Sequence, residues 1–183
     1  METKKYKLTE ETIIVNGKTL YRIEALKDFS NVRKGDKGGF IEKEDNLSQS
    51  DNCWVYDNAM VYDNARVFGN AMVYGTARVY DDAMVYGKAK VRDNVIIYNN
   101  AIICGNAWVY GNAVICGNAW VNGNADVFGD AVIGDNAVIC GNAWVNGNTK
   151  VYGNAKVYGE AMVYGEADVC GNAEVCGNAE VYD

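Results

Sequence analysis

Residues 55–73 read Val55-Tyr56-Asp57-Asn58-Ala59-Met60-Val61-Tyr62-Asp63-Asn64-Ala65-Arg66-Val67-Phe68-Gly69-Asn70-Ala71-Met72-Val73, and this six-residue phrase repeats to the end of the chain. With Val55 as position 1, that position recurs 22 times up to Val181, and all 22 residues are Val or Ile. Position 5 is Ala in 19 of 21 complete hexads, Val95 and Thr149 being the exceptions. Position 3 is Gly, Asp or Asn throughout, and position 4 is mostly Asn. No insertion or deletion breaks the frame from residue 55 onward. Self-similarity at a fixed period is the mark of a solenoid.

Each preference has a physical cause. Alternate residues of a strand face opposite ways. Positions 5 and 1 are two apart across the hexad boundary, so Ala59 and Val61 share the inward side and Met60 between them faces out. Position 3 takes residues that tolerate positive φ, which marks a corner. One strand and one corner cannot bury an apolar face alone, but stacked coils can. Asn side chains stacked at the corners add a route for hydrogen bonds between coils. The absence of Pro fits strands with a ladder partner on both sides.

The pattern, an aliphatic residue with a small residue four later, resembles the left-handed hexapeptide-repeat family. That resemblance implies three hexads per triangular coil and a left-handed parallel β-helix. The general crossover rule favours the right hand, so the left hand rests on the resemblance. The expectation is an all-β chain of about seven coils of 18 residues, roughly 35 Å long at the strand spacing. Val55, Val73, Val91, Val109, Val127, Val145, Val163 and Val181 should stack in one inward column.

Residues 1–40 lack the repeat and read as an N-terminal cap, with the helix occupying residues 41–183. Thr12 to Val15 and Thr19 to Ile23 flank Asn16-Gly17, a β-hairpin signal. The chain then turns towards Gly38-Gly39-Phe40-Ile41. Leu47 and Cys53 fall on position 5 of the hexad frame. A lid over the first coil, which would otherwise expose strand edges, is one role for the cap; recognition is the other. The string YRIEALKDFSNVRKGDKGGFIEKEDNLSQSDNCWVYDNA, residues 21–59, resembles the start of bacterial and bacteriophage hexapeptide-repeat proteins, some labelled acyltransferases on the repeat alone.

Composition limits the chemistry. The chain of 183 residues carries a net charge of −7, with no histidine. That balance argues against direct nucleic-acid binding, which needs a basic face. No run approaches a membrane span, and METKKYKLTEET lacks a signal peptide's apolar stretch, so the expected location is cytoplasmic, in a host cell if the protein is phage-encoded. Hexapeptide acyltransferases typically use a histidine base, and the related carbonic anhydrases hold zinc with histidines. Neither group exists here, so no catalytic residue, cofactor or metal ligand is assigned. Of the six cysteines, Cys104, Cys116, Cys140, Cys170 and Cys176 take position 2, where Tyr or Phe otherwise sits. They read as tolerated residues on that row, with a redox or metal role as the alternative. Asp81-Asp82 and the corner residues Glu160 and Glu166 read as solvated carboxylates.

Position 6 faces outward, and its character changes along the chain. From residue 54 to 92 it holds Trp, Met, Arg and Lys. In the middle coils it becomes Ile96, Ile102, Trp108, Val114, Trp120, Asp126, Val132, Val138 and Trp144, an apolar belt. Between residues 157 and 183 there are six acidic residues and no basic ones, among them Glu160, Glu166, Asp168, Glu174 and Glu180. Outward β-branched residues can reflect strand propensity. A belt with three Trp is also what a binding surface looks like, for a homo-oligomer (trimer or dimer) or for a host protein. The expectation is therefore a non-catalytic interaction protein, phage- or prophage-encoded by resemblance, that binds a host macromolecule through the belt or the acidic coils. One version inhibits a host defence or nucleic-acid enzyme. The rivals are an acyltransferase with a base other than histidine, a small-ligand-sequestering oligomer, and a purely structural rod.

Overall fold

Every corner has the backbone that position 3 predicts. In the computed structural model, which describes residues 4–183, all position-3 residues from 57 to 177 have φ between +53° and +77°. Fifteen are Gly; the others are Asp57, Asp63, Asp81, Asp93, Asn99 and Asp135. Positions 6 and 1 form two-residue strands such as Met60–Val61 and Arg66–Val67. Pairing runs parallel at a spacing of 18, as in Met60 with Arg78 and Ile96 with Val114. The result is three parallel faces of eight layers each.

Coils are joined by backbone hydrogen bonds at positions 6, 2 and 4. Thus the N–H groups of Met60, Tyr62 and Asn64 donate to the carbonyls of Ala77, Val79 and Asp81 at 2.8, 3.1 and 2.8 Å. A side-chain ladder runs up one corner, Asn100 to Asn118, Asn136, Asn154 and Asn172, in steps of 3.0–3.1 Å. The expected Val column stands on the third face, buried from Val55 to Val163 and partly exposed at Val181.

The first coil departs from the frame. Ile41 pairs with Val61 and Leu47 with Val67, 20 residues apart, whereas Trp54 pairs with Met72 at 18. Two extra residues therefore lie in the corner between Leu47 and Trp54. Leu47 and Ile41 sit in the position-1 columns, not at position 5, while Cys53 keeps position 5 and is fully buried. A 3-10 turn, Glu44–Asn46, precedes the insertion, and the buried Asn46 amide donates to the carbonyls of Asp63 and Ala65 at 3.1 and 2.9 Å. This coil raises the count to eight from the expected seven or so.

The cap is a hairpin of β1 (Tyr6–Val15) and β2 (Lys18–Ala25), turning at Asn16-Gly17 with both φ positive. The first three residues of the expected cap lie outside the described residues. β2 pairs antiparallel with β3 (Lys37–Ile41), and β3 pairs parallel with Met60–Val61. The cap thus extends the first face into one ten-stranded sheet. Gly38 and Gly39 allow this close approach: a Cβ on either would lie 2.5 or 2.4 Å from the carbonyl oxygen of Val55 or Ala59. Lys5 anchors the start of β1. Its buried ammonium donates to the carbonyls of Asp51 and Cys53 at 2.8 and 2.9 Å, and burial lowers its pKa. No helix among the described residues is long and apolar enough to cross a membrane.

Thr149 stands where the repeat prefers Ala. It is fully buried, and its hydroxyl lacks a hydrogen-bond partner. A buried unsatisfied hydroxyl costs about 1–3 kcal/mol. Thr149→Val, which keeps the shape and removes the hydroxyl, should stabilise the protein by about 1 kcal/mol. A urea midpoint below that of the parent would contradict this.

Candidate interaction surface

The 18-residue step distributes the belt over three faces. Ile96, Val114 and Val132 are consecutive on the first. Ile102, Trp120 and Val138 are consecutive on the second. Trp108, Asp126 and Trp144 are consecutive on the third. The belt encircles the prism and is not one patch. The aliphatic members are half-buried, whereas Trp108, Trp120 and Trp144 are 39%, 44% and 47% exposed.

All three indoles lean the same way, over the position-2 residue of the preceding coil. Trp108 lies against Arg92, with 5.9 Å from the guanidinium carbon to the ring centroid. Trp120 donates its Nε1–H to Cys104 Sγ at 3.1 Å. Trp144 meets Phe128 edge to face at 6.2 Å. One side of each indole packs on the protein's own ladder and the other faces out.

Trp54 supplies an internal comparison. It is also a position-6 residue on the third face, yet it is only 1% exposed. Tyr6 and Phe29 of the cap pack on it edge to face, at 6.0 and 5.3 Å between centroids. An outward Trp on this ladder is covered where another element lies against it.

The acidic residues also spread over all faces. Asp168 lies on the first, Glu174 on the second and Glu180 on the third, with Glu160 and Glu166 at corners, all exposed. They ring two coils and form no single cluster. Glu174 accepts from Lys156 Nζ and from Tyr158 Oη, both at 3.2 Å, and the lysine hydrogen bond holds its carboxyl below the usual range. Glu180 accepts from Tyr164 Oη at 3.0 Å.

The structure adds residues that the linear reading missed. Lys90 and Arg92 flank Val91 on the third face, with Lys90 Nζ 4.4 Å from the Trp108 centroid and the Arg92 guanidinium 4.9 Å from that of Tyr110. Adding 18 to each number finds these neighbours once the coil length is known. Asp126 is the belt's polar member. It lies between the two indole rows, and partial burial raises its pKa.

Aromatic stacking continues along position 2, as in Tyr56 on Tyr74 at 4.4 Å and Tyr110 on Phe128 at 4.7 Å. The position-2 cysteines lie on the other two faces, the first and second: Cys104 is buried, Cys116 and Cys140 half-buried, Cys170 and Cys176 exposed, and all are free thiols.

Comparison of the whole chain with curated proteins gives no match. The family whose pattern matches is the YdcK β-solenoid repeat, at residues 77–93 and 103–117. Those stretches include Lys90, Arg92 and Trp108 and span parts of the third to fifth coils. With eight parallel coils in register and this similarity within them, the chain is a β-solenoid repeat protein.

Proposed function

We propose that the protein is a non-catalytic binding protein whose belt of outward Trp and aliphatic residues meets another protein surface. The observation that carries this reading is the contrast between Trp54, sealed by the cap, and Trp108, Trp120 and Trp144, at 39–47% exposure. The hexad does not require an indole at position 6, since neighbouring coils use Arg, Lys, Met, Asp and Glu there. Large exposed aromatics on a rigid scaffold favour association because little conformational entropy is lost when they are covered. A further copy of the chain is the first partner to test. A host macromolecule is the second, and the ring of Glu160, Glu166, Asp168, Glu174 and Glu180 favours a basic one.

The test is Trp108→Ala combined with Trp144→Ala. Losing a buried interface Trp costs about 2 kcal/mol or more, roughly 30-fold in affinity. The double variant should keep its far-ultraviolet circular dichroism. In sedimentation it should shift towards monomer, or it should lose the partner that the parent binds. If it keeps both its mass and its partner, the belt is not the interface. The non-catalytic half of the reading has its own arm. The parent should not accelerate acyl transfer from acetyl- or succinyl-coenzyme A to a broad acceptor panel. Saturable turnover lost on replacing a particular Cys, Asp or Glu would overturn it.

A further inference from the structure

The third face carries two cations on its outward rows, Lys90 in the strand Lys90–Val91 and Arg92 directly after it. They border a cleft of about 390 Å³, within the roughly 300–1,000 Å³ typical of small-ligand sites. Tyr74 and Tyr110 line it on the coils before and after, with Trp108 beside them. Lys90 has no carboxylate within ion-pair distance among the described residues, and Arg92 has one loose contact, Nε to Asp93 Oδ2 at 3.7 Å. These cations lean on rings, at 4.4 Å for Lys90 on Trp108 and 4.9 Å for Arg92 on Tyr110. A ring beneath a cation fixes its position and leaves its N–H donors free to turn outward. In a chain of net charge −7, two neighbouring cations with one loose ion pair between them are a local exception, and Asp57 and Asp93 bring the cleft as a whole to neutrality.

The cleft's edge carries two carboxylates, Asp57 and Asp93. Each accepts a backbone N–H one coil on, from Gly75 at 3.0 Å and from Gly111 at 3.1 Å, so the ladder holds both in place. A bare anion gains nothing from them. A ligand with both an anionic group and hydroxyls uses both kinds of partner: the anion goes to Lys90 and Arg92, and a diol donates to a carboxylate. The exposed indole of Trp108 offers a surface to a flat ring, whereas Tyr110 is already held by Arg92 and Phe128. Arg is well matched to phosphate because its fork offers paired N–H donors.

We propose that this cleft binds a mononucleotide. The phosphate sits on Lys90 and Arg92, the base lies against the exposed side of Trp108, and the ribose hydroxyls face Asp57 or Asp93. The ligand is a free nucleotide and not a nucleic-acid strand, because the third face continues into Asp126 and Glu180 and offers no further cation to following phosphates.

Calorimetric titration of the full chain tests this, with AMP, GMP, CMP and UMP as probes and the matching nucleosides, ribose 5-phosphate, inorganic phosphate and a single-stranded pentanucleotide as comparisons. At least one mononucleotide should bind saturably with Kd below about 1 mM. Its nucleoside and inorganic phosphate should each bind at least about tenfold more weakly, a 1.4 kcal/mol difference. Lys90→Gln and Arg92→Gln should each weaken binding about tenfold with circular dichroism unchanged, while Trp120→Ala on the second face should have no effect. Trp144→Ala separates the two proposals, since it should impair association through the belt and leave nucleotide binding intact. The proposal is overturned if no mononucleotide saturates up to about 10 mM. Equal binding of inorganic phosphate, full binding by Arg92→Gln, or tighter binding of the pentanucleotide would overturn it too.

Discussion

Trp54→Ala should cost the protein about 3–5 kcal/mol of stability, the usual range for removing a buried aromatic side chain. Trp54 is the largest fully buried side chain and the point where the cap meets the third face. Its removal leaves Tyr6 and Phe29 without their edge-to-face partner. Lys5 should loosen as well, because its ammonium lies 5.1 Å from the Phe29 ring while bonding the carbonyls of Asp51 and Cys53. Trp54→Phe should lose less than half as much, since a smaller ring still fills part of the space. Urea unfolding followed by circular dichroism provides the measurement. A loss below about 1 kcal/mol for the alanine variant would mean that the cap is held elsewhere, for instance by the buried Leu20, Phe40 and Tyr62 cluster on the first face.

Gly123→Val should be comparably damaging for a different reason. Gly123 has φ +71°, and a Cβ there would lie 2.8 Å from the carbonyl oxygen of Gly141 and 2.9 Å from its nitrogen. The left-handed backbone costs an L-residue roughly 1–2 kcal/mol, and overpacking against a neighbouring backbone about 1–3 more. A β-branched side chain is the worst choice at such a φ. Gly123→Asp should cost less than half as much. Six corners already carry Asp or Asn at φ +53° to +65°, and several of those side chains accept the N–H 18 residues on, as Asp135 does from Gly153 at 3.0 Å. If the two variants unfold at the same urea concentration, steric crowding between corners is not what selects glycine.

The regular coils were legible in the sequence because one cause acts at each position. Position 3 shows it best: a need for positive φ leaves few residue types, so Gly69 and Asp57 announce the same corner. The first coil was not legible. Ile41, Leu47 and Cys53 are six apart and continue the frame by coincidence, but two extra residues after Leu47 move it and Ile41 into the position-1 columns. Nothing repeats between residues 43 and 52 to betray the insertion. The outward side of Trp54 was legible too, though not its burial, because the lid that covers it comes from residues far away in the chain. For the belt, the sequence shows which residues point outward. It does not show that each indole leans on position 2 of the preceding coil, since that depends on rotamers across the ladder.

From Trp54 onward the constant 18-residue register turns residue number into a coordinate. Moving a side chain six positions along the chain carries it to the next face at nearly the same height. Moving it 18 positions raises it by one strand spacing, about 4.8 Å, and leaves its direction unchanged. Length can therefore change in whole ticks without disturbing the core. Excising residues 109–126 would join Trp108 to Val127, position 6 to position 1, in phase. Trp144 would then stand one tick from Trp108 instead of two, as close as Tyr56 now stands to Tyr74. The spacing between two surface groups is thus set by counting, and a chain built this way can be retuned as a molecular ruler.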